Sequence, residues 1–186
     1  MNVKETKLPG VIILEPDVFG DDRGYFLETW NSARYESVGI AGPFVQDNIS
    51  LSGKGVLRGL HFQYPQPQGK LIHVISGEVI DVAVDIRLGS ATFGQWVSEV
   101  LSGENHRQMY VPPGFAHGYC VTSATAIFSY KCTDFYNPAT ENGIIWNDPD
   151  LNIDWPGTEF TISAKDSAYS RLKDLPPEKL PHLEGL

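Results

Sequence analysis

The side chains of this sequence best equipped to move a proton are His61, His117, Lys70 and Tyr130. Imidazole titrates near neutral pH and can accept a proton from a carbon acid; an ammonium group stabilises the oxyanion that abstraction creates, and a phenol can return a proton. Were Lys70 to share a pocket with the two histidines, it would argue against a resident metal ion, because a protonated ammonium cannot ligate a cation and repels one. Each residue alone has a plainer reading. A single His on a strand is more often a hydrogen-bonded structural group, and a buried Tyr usually packs and satisfies its hydroxyl. Asp166, in Ser163-Ala164-Lys165-Asp166-Ser167, can be no more than a helix-turn carboxylate, and spacing alone pairs it with nothing. Lys70 is harder to dismiss, because it opens the apolar run Leu71-Ile72-His73-Val74-Ile75, where a charge is awkward unless it is used.

The elements that must position these groups read as short strands separated by turn signals. Strands are predicted over residues 11–15, 25–30, 44–50, 56–63, 70–75, 78–86, 93–101, 109–111, 119–122 and 125–132, with a short one over 144–146. The clearest pattern is that of 78–86, where Ile80, Val82, Val84 and Ile86 share one face and Val79, Asp81, Ala83 and Asp85 the other, a period of two. A helix is expected over 32–38 with Asn31 as its cap and Gly39 as its stop, and one helical turn over 163–168. Parity puts His61 and Gln63 on one face of their strand, and Phe128 and Tyr130 on one face of theirs. Arg58 has the wrong parity to join His61, so its use in the same pocket requires an irregularity, for which Gly59 is the natural host. His73, three residues beyond Lys70, should point away from such a pocket.

The whole chain sets outer limits. With 186 residues, 41% of them hydrophobic and 20% charged, it suits one globular domain. The core is expected over about 10–173, with 174–186 as an irregular, Pro-containing tail. A net charge of −9, from 14 basic and 23 acidic side chains, argues against broad binding to nucleic acid or to anionic lipid. It leaves room for a phosphate ligand at a local cluster such as Arg23 and Arg58. No run approaches the roughly 20 apolar residues needed to cross a bilayer. The first residues lack the apolar stretch of a secretory signal, which predicts a cytoplasmic protein. Cys120 and Cys132 form no CxxC pair and are expected as reduced core thiols.

Two segments resemble the signatures of a cupin barrel, and with about ten strands they predict an all-β jelly roll carrying a few short helices. The first runs Leu60-His61-Phe62-Gln63 to Lys70 and on to Gly77; the second is Pro112-Pro113-Gly114-Phe115-Ala116-His117. Against the metal-binding pattern, Gln63 replaces a ligand His and Lys70 a ligand Glu. Taken together, five motifs resemble the dTDP-4-dehydrorhamnose 3,5-epimerase family: Phe19-Gly20-Asp21-Asp22-Arg23-Gly24-Tyr25-Phe26, Gln46-Asp47-Asn48, Leu57-Arg58-Gly59-Leu60-His61-Phe62-Gln63, Pro112 to Gly118, and Tyr130-Lys131-Cys132-Thr133-Asp134. The resemblance runs from about Gly10 to Lys173. It implies that His61 is the proton acceptor, oriented by Asp166, that Tyr130 is the proton donor on the opposite face of the sugar, and that Lys70 stabilises an enolate oxygen. It further implies substrate contacts from Arg23, Glu28, Gln46, Asp47, Asn48, Arg58, Lys70, His117, Glu141 and Lys165. No cofactor and no metal are implied. The partners implied are a dTDP-4-keto-6-deoxy sugar and a second copy of the chain, in a homodimer where Arg23 completes the neighbour's site. His73 departs from the family pattern, which carries Arg or an apolar residue there. Two rival readings share these residues: an epimerase acting at C3 only, and a non-catalytic cupin that binds a nucleotide sugar.

Overall fold

Alternating apolar residues shape two sheets that lie face to face in a computed structural model describing residues 1–40 and 42–185. One sheet has the order β1 (Asn2–Glu5), β2 (Ile12–Glu15), β10 (Gln108–Val111), β7 (Lys70–Ser76), β12 (Thr125–Cys132), β5 (Gln46–Gly53). The other runs β13 (Glu141–Gly143), β6 (Leu57–Gln63), β11 (Phe115–Val121), β8 (Glu78–Asp85), β9 (Trp96–Ser102). Every pairing within them is antiparallel. The sheets are open rather than closed on themselves, and the architecture is the cupin-type jelly roll. A separate hairpin, β3 (Val18–Asp21) with β4 (Gly24–Leu27), stands apart from both.

The period of two in β8 decides the layering. Val79 and Ala83 enter the core between the sheets with Ile72, Val74, Val97, Met109 and Phe128. Ile80, Val82, Val84 and Ile86 face the other way, into a second core beneath Leu151, Trp155, Leu172 and Leu180. The five-stranded sheet is therefore buried on both faces, and the chain after β13 supplies its outer cover. That includes the expected tail: it winds through 3-10 turns at Pro177–Lys179 and Leu183–Gly185, buries Leu180, and bridges Leu88 to His182. The last residue of that predicted tail, Leu186, lies outside the described residues.

The first helix, α1 (Ser32–Glu36), starts where the sequence indicates, with the Asn31 side chain accepting from the Arg34 N–H. It packs Tyr35 against Leu14, Ile40, Leu71 and Tyr110 on the outer face of the six-stranded sheet. The second, α2 (Ala164–Ser167), is capped by Ser163, whose Oγ accepts from the Asp166 N–H at 3.0 Å.

Local expectations differ from what is found at several places: β11 begins at Phe115 rather than 119 and β9 at Trp96 rather than 93. Residues 20–24 close a tight hairpin whose strands are β3 and β4, so strand 25–30 ends early at Leu27. The short strand is Glu141–Gly143 rather than 144–146, because its place is set by pairing with β6 rather than by its own pattern. β1 was not expected at all: it is mostly exposed and held by the edge of β2.

Candidate active site

Between the sheets opens a cavity of about 430 Å³. Strand β5 lends it Gln46, Asn48 and Ser50, β6 lends Arg58, His61 and Gln63, and β7 lends Lys70. His117 and Tyr119 come from β11, and Tyr130 and Cys132 from β12. Glu141, Lys165 and Tyr136 stand at its rim.

Arg58 and His61 share the cavity because β6 slips by one residue against β11. His117 pairs with His61 and Tyr119 with Arg58, leaving Gly118 alone opposite Gly59 and Leu60. The bulge restores common facing to two residues of opposite parity, and it turns Leu57, Leu60 and Phe62 together into the outer core. Only glycine fits the crossing. Gly59 has φ +125°, and a Cβ there would meet the Gly118 Cα at 2.6 Å and the His117 carbonyl oxygen at 2.8 Å. His73 lies outside this cavity and lines a small apolar hollow with Tyr25, Leu27 and His106.

His61 does not stand alone. Its Nε2 lies 2.8 Å from Asp166 Oδ1, while Asp166 Oδ2 accepts from the Gly59 N–H at 3.1 Å. Asp166 is only 2% exposed. Burial works to raise its pKa, but the bonds from His61 and Gly59 hold the carboxyl below the ordinary carboxylate value. As a carboxylate it accepts Nε2–H, which leaves the His61 lone pair on Nδ1.

A second pair lies deeper. His117 Nε2 is 2.9 Å and 3.0 Å from the two oxygens of Asp81, and both residues are buried. Burial favours neutral imidazole at His117, and it pushes the Asp81 carboxyl up. Behind them Phe128 stacks on Tyr119 with ring centroids 3.9 Å apart and lies 6.1 Å from the His117 ring, giving the cavity an apolar floor. Asp81 was not among the sequence-derived candidates. Its signal was present, an acidic residue between Val79 and Ala83 on the core-facing row of β8.

Burial pushes the Lys70 ammonium below its ordinary pKa, against the pull of the Asp81 and Glu141 carboxyl groups. The Tyr130 phenol is pushed up to about 12, chiefly by burial, so it keeps its proton at neutral pH. Cys132, expected as a plain core thiol, is buried yet lines the cavity, and Asn48 Nδ2 approaches its sulfur at 3.7 Å.

The rim is tied together by polar side chains. Gln63 Nε2 donates to the carbonyls of Gln66 and Phe135, and its Oε1 accepts from the Asn137 N–H. Its carboxamide is thus spent on two loops. Gln46 Oε1 accepts from the Tyr136 N–H at 2.8 Å, Tyr136 Oη donates to Glu141 at 2.9 Å, and Lys165 Nζ donates to Glu141 at 2.7 Å. The bonds from Lys165 and Tyr136 hold Glu141 below its ordinary pKa although burial opposes them. Among the described residues, no three His, Cys, Asp or Glu side chains gather where they could hold a metal ion.

Of the expected site residues, four do not line the chain's own cavity: Asp166, which reaches it only through His61, and three that stand farther off. Arg23 projects from the tip of the β3–β4 hairpin and pairs with Asp21. Glu28 pairs with Arg34 at 3.3 Å, and Asp47 turns to the outer face of β5, where Lys131 holds it at 2.9 Å.

The model of the family described as dTDP-4-dehydrorhamnose 3,5-epimerase matches residues 5–174. The chain belongs to this epimerase family. A dTDP-4-dehydrorhamnose 3,5-epimerase of Methanothermobacter thermautotrophicus is 50% identical over 175 residues, covering 92% of this chain and 95% of that one. The crystal structure of a dTDP-6-deoxy-D-glucose-3,5-epimerase from Legionella pneumophila in complex with dTDP-4-keto-L-rhamnose superposes with TM-score 0.95 at 55% identity, covering 97% of each chain. A 3'-monoepimerase from Streptomyces bikiniensis in complex with dTDP-quinovose is similar at 30% identity, with TM-score 0.89 and coverage of 96% and 92%. The solved structures similar to this chain thus carry both one-centre and two-centre names on one fold.

Proposed function

We infer that this chain is an isomerase that inverts C3 and C5 of dTDP-4-dehydro-6-deoxy-D-glucose, giving dTDP-4-dehydro-L-rhamnose. The observation that carries the mechanism is His61, bonded behind to Asp166, opening into the same cavity as Tyr130 and Lys70. The C4 ketone acidifies the hydrogens at C3 and C5, because the carbanion left behind is delocalised onto the carbonyl oxygen. In our reading His61 Nδ1 takes the proton, with Asp166 stabilising the imidazolium that forms. The electron pair of the C–H bond moves into the enolate, whose oxygen is met by the Lys70 ammonium. Tyr130 then delivers its hydroxyl proton to the opposite face of the carbon, and configuration inverts. The phenolate and imidazolium left on the protein return to neutral by passing one proton through solvent. A positioned acid or base contributes roughly 10²–10⁴-fold, and an oxyanion donor about 10²–10³-fold.

The diphosphate and nucleoside fall to the remaining residues in this proposal. Arg58, steadied by Ser52 Oγ at 3.2 Å, offers a guanidinium fork for a phosphate, and Gln46, Asn48, His117, Glu141 and Lys165 line the rest of the cavity. Arg23, Glu28 and Asp47 are assigned to a site completed by a second copy of the chain. A homodimer is supported by the exposed apolar outer face of β5, where Ile49 and Leu51 are 68% and 67% exposed at the edge of its sheet, and by exposed Phe19 and Phe26 beside Arg23 on the hairpin. Replacing Ile49 and Leu51 by Glu should convert a dimer to monomers in sedimentation and cost activity. An unchanged sedimentation profile would remove that face from the interface. We take residues 1–186 as one domain and place the protein in the cytoplasm. No helix among the described residues is long and apolar enough to cross a membrane.

Incubation with dTDP-4-keto-6-deoxy-D-glucose in D₂O tests the activity. Deuterium at both C3 and C5 with inverted configuration is expected. Label at C3 alone would make the chain a monoepimerase, and binding without any exchange would make it a nucleotide-sugar carrier.

A further inference from the structure

Behind the His61–Asp166 pair lies an aromatic ring that none of the assigned roles uses. Tyr169 sets its ring edge to face against the His61 imidazole, with centroids 5.9 Å apart and an interplanar angle of 73°. It follows Asp166 by three residues at the exit of α2, so one short turn of chain brings both the carboxylate and the ring to the same histidine. The segment is pinned beside β13 by the Ser170 carbonyl, which accepts from the Ile145 N–H at 2.9 Å.

The space for that ring is made by a glycine. Gly143 pairs directly with His61 across β13 and β6, so any side chain there would stand next to the imidazole on the same face. An added Cβ would lie 2.3 Å from Tyr169 Cε2 and 2.4 Å from Cζ, closer than real contacts allow. The phenol ring therefore fills the place a Gly143 side chain would take. Tyr169 does not line the substrate cavity. It lines an outer hollow with Ile145, Asn147 and Arg171, and so stands as a wall between the imidazole and outside solvent.

We propose that Tyr169 is a positioning residue for the catalytic base: wedged over Gly143, its ring fixes the plane of the His61 imidazole so that Nε2–H stays on Asp166 and Nδ1 faces the sugar. The proposal rests on the reading of His61 as the base. The ring acts by contact and exclusion; its hydroxyl lies near Lys165 and takes no part in that positioning. Proton abstraction needs the acceptor nitrogen within hydrogen-bond reach of the C–H bond, and a displacement of about 1 Å can cost about 10²-fold in rate.

The test compares Tyr169→Phe, Tyr169→Leu and Gly143→Ala, reading kcat and KM separately, with ¹⁵N NMR of the histidine side chains in the absence of substrate. Y169F should keep kcat within about threefold of the parent, whereas Y169L and G143A should each lose about 10–10²-fold in kcat with little change in KM. His61 should be the Nε2–H tautomer in the parent and in Y169F, and a mixture of tautomers in Y169L. Should Y169L not fold, Tyr169→Met carries the same expectation. An unchanged kcat in Y169L, a loss confined to KM, a Y169F defect as large as that of Y169L, or an Nδ1–H tautomer in the parent would each overturn the proposal. Failure of the parent to turn over the sugar would instead strike the reading of the activity, and the substrate-free tautomer comparison separates the two.

Discussion

Replacing Asp166 by Asn should remove the base without removing its imidazole. The carboxylate accepts two hydrogen bonds, from His61 Nε2–H at 2.8 Å and from the Gly59 N–H at 3.1 Å, and it is almost wholly buried. An amide can accept only one of them. If its oxygen stays with His61, its NH₂ group confronts the Gly59 N–H and leaves a buried donor unmet, at about 1–3 kcal/mol. If the oxygen turns to Gly59, the NH₂ group donates to Nε2, the imidazole hydrogen moves to Nδ1, and the lone pair leaves the cavity. The second arrangement satisfies every group and is therefore expected. The lost charge adds to this. At 2.8 Å and an effective dielectric of about 20, an imidazolium–carboxylate pair is worth roughly 6 kcal/mol before screening. The partly exposed imidazole admits solvent; if about half survives, the rate falls by about 10² from charge alone. Together these place the D166N loss in kcat at about 10²–10⁴-fold, with dTDP affinity little changed. Turnover followed by NMR in D₂O, alongside calorimetric dTDP binding, measures both quantities. A D166N enzyme retaining more than about a tenth of the parent kcat would refute the orientation of His61 by Asp166.

Three further outcomes are expected. Because burial keeps Tyr130 protonated at neutral pH, Tyr130→Phe should slow net inversion by about 10²-fold or more while deuterium uptake at the abstracted carbon falls less, and a parallel fall in both would contradict delivery from the second face. Gly59→Ala combines a positive φ with contacts under 3 Å, so urea unfolding should report a loss of about 2–6 kcal/mol; a change below about 1 kcal/mol would mean that the Gly59–Gly118 crossing relaxes freely. Asp85, fully buried, accepts from Arg87, Ser90 and Thr92; burial works to raise its pKa, but those bonds hold it below the ordinary 3.8. Its stabilisation is therefore complete above about pH 4 and is lost as pH falls through the lower folded-state value. Asp85→Asn should cost about 3–5 kcal/mol at neutral pH and flatten the acid side of the Tm profile, and a Tm curve still parallel to the parent's below pH 4 would count against it.

Much of the site was legible because strand parity is a local property. The inward row of β12, with Phe128 and Tyr130, and the sorting of β8 residues into two cores follow from side chains alternating at a period of two. The need for a bulge between Arg58 and His61 was also visible, since two residues of opposite parity cannot share a face without one extra residue, and Gly59 marked its place. The β3–β4 hairpin and β1 were less legible, because both are largely exposed and carry no buried row to set a pattern.

By itself, then, the sequence determined an all-β jelly roll, the strands that carry His61, Lys70 and Tyr130, and through its motifs the epimerase family. Tertiary structure alone decided that Asp81 meets His117 across 36 positions, and strand pattern and spacing say nothing of Asp166 reaching His61 across 105, which only the family resemblance implied. Tertiary structure also decided that Gly143 yields its side-chain space to Tyr169. The reason is physical. Alternation and turn chemistry act between neighbours and are written residue by residue, whereas a hydrogen bond between distant side chains exists only once two packed sheets and a capped turn have fixed their separation to within a few tenths of an ångström.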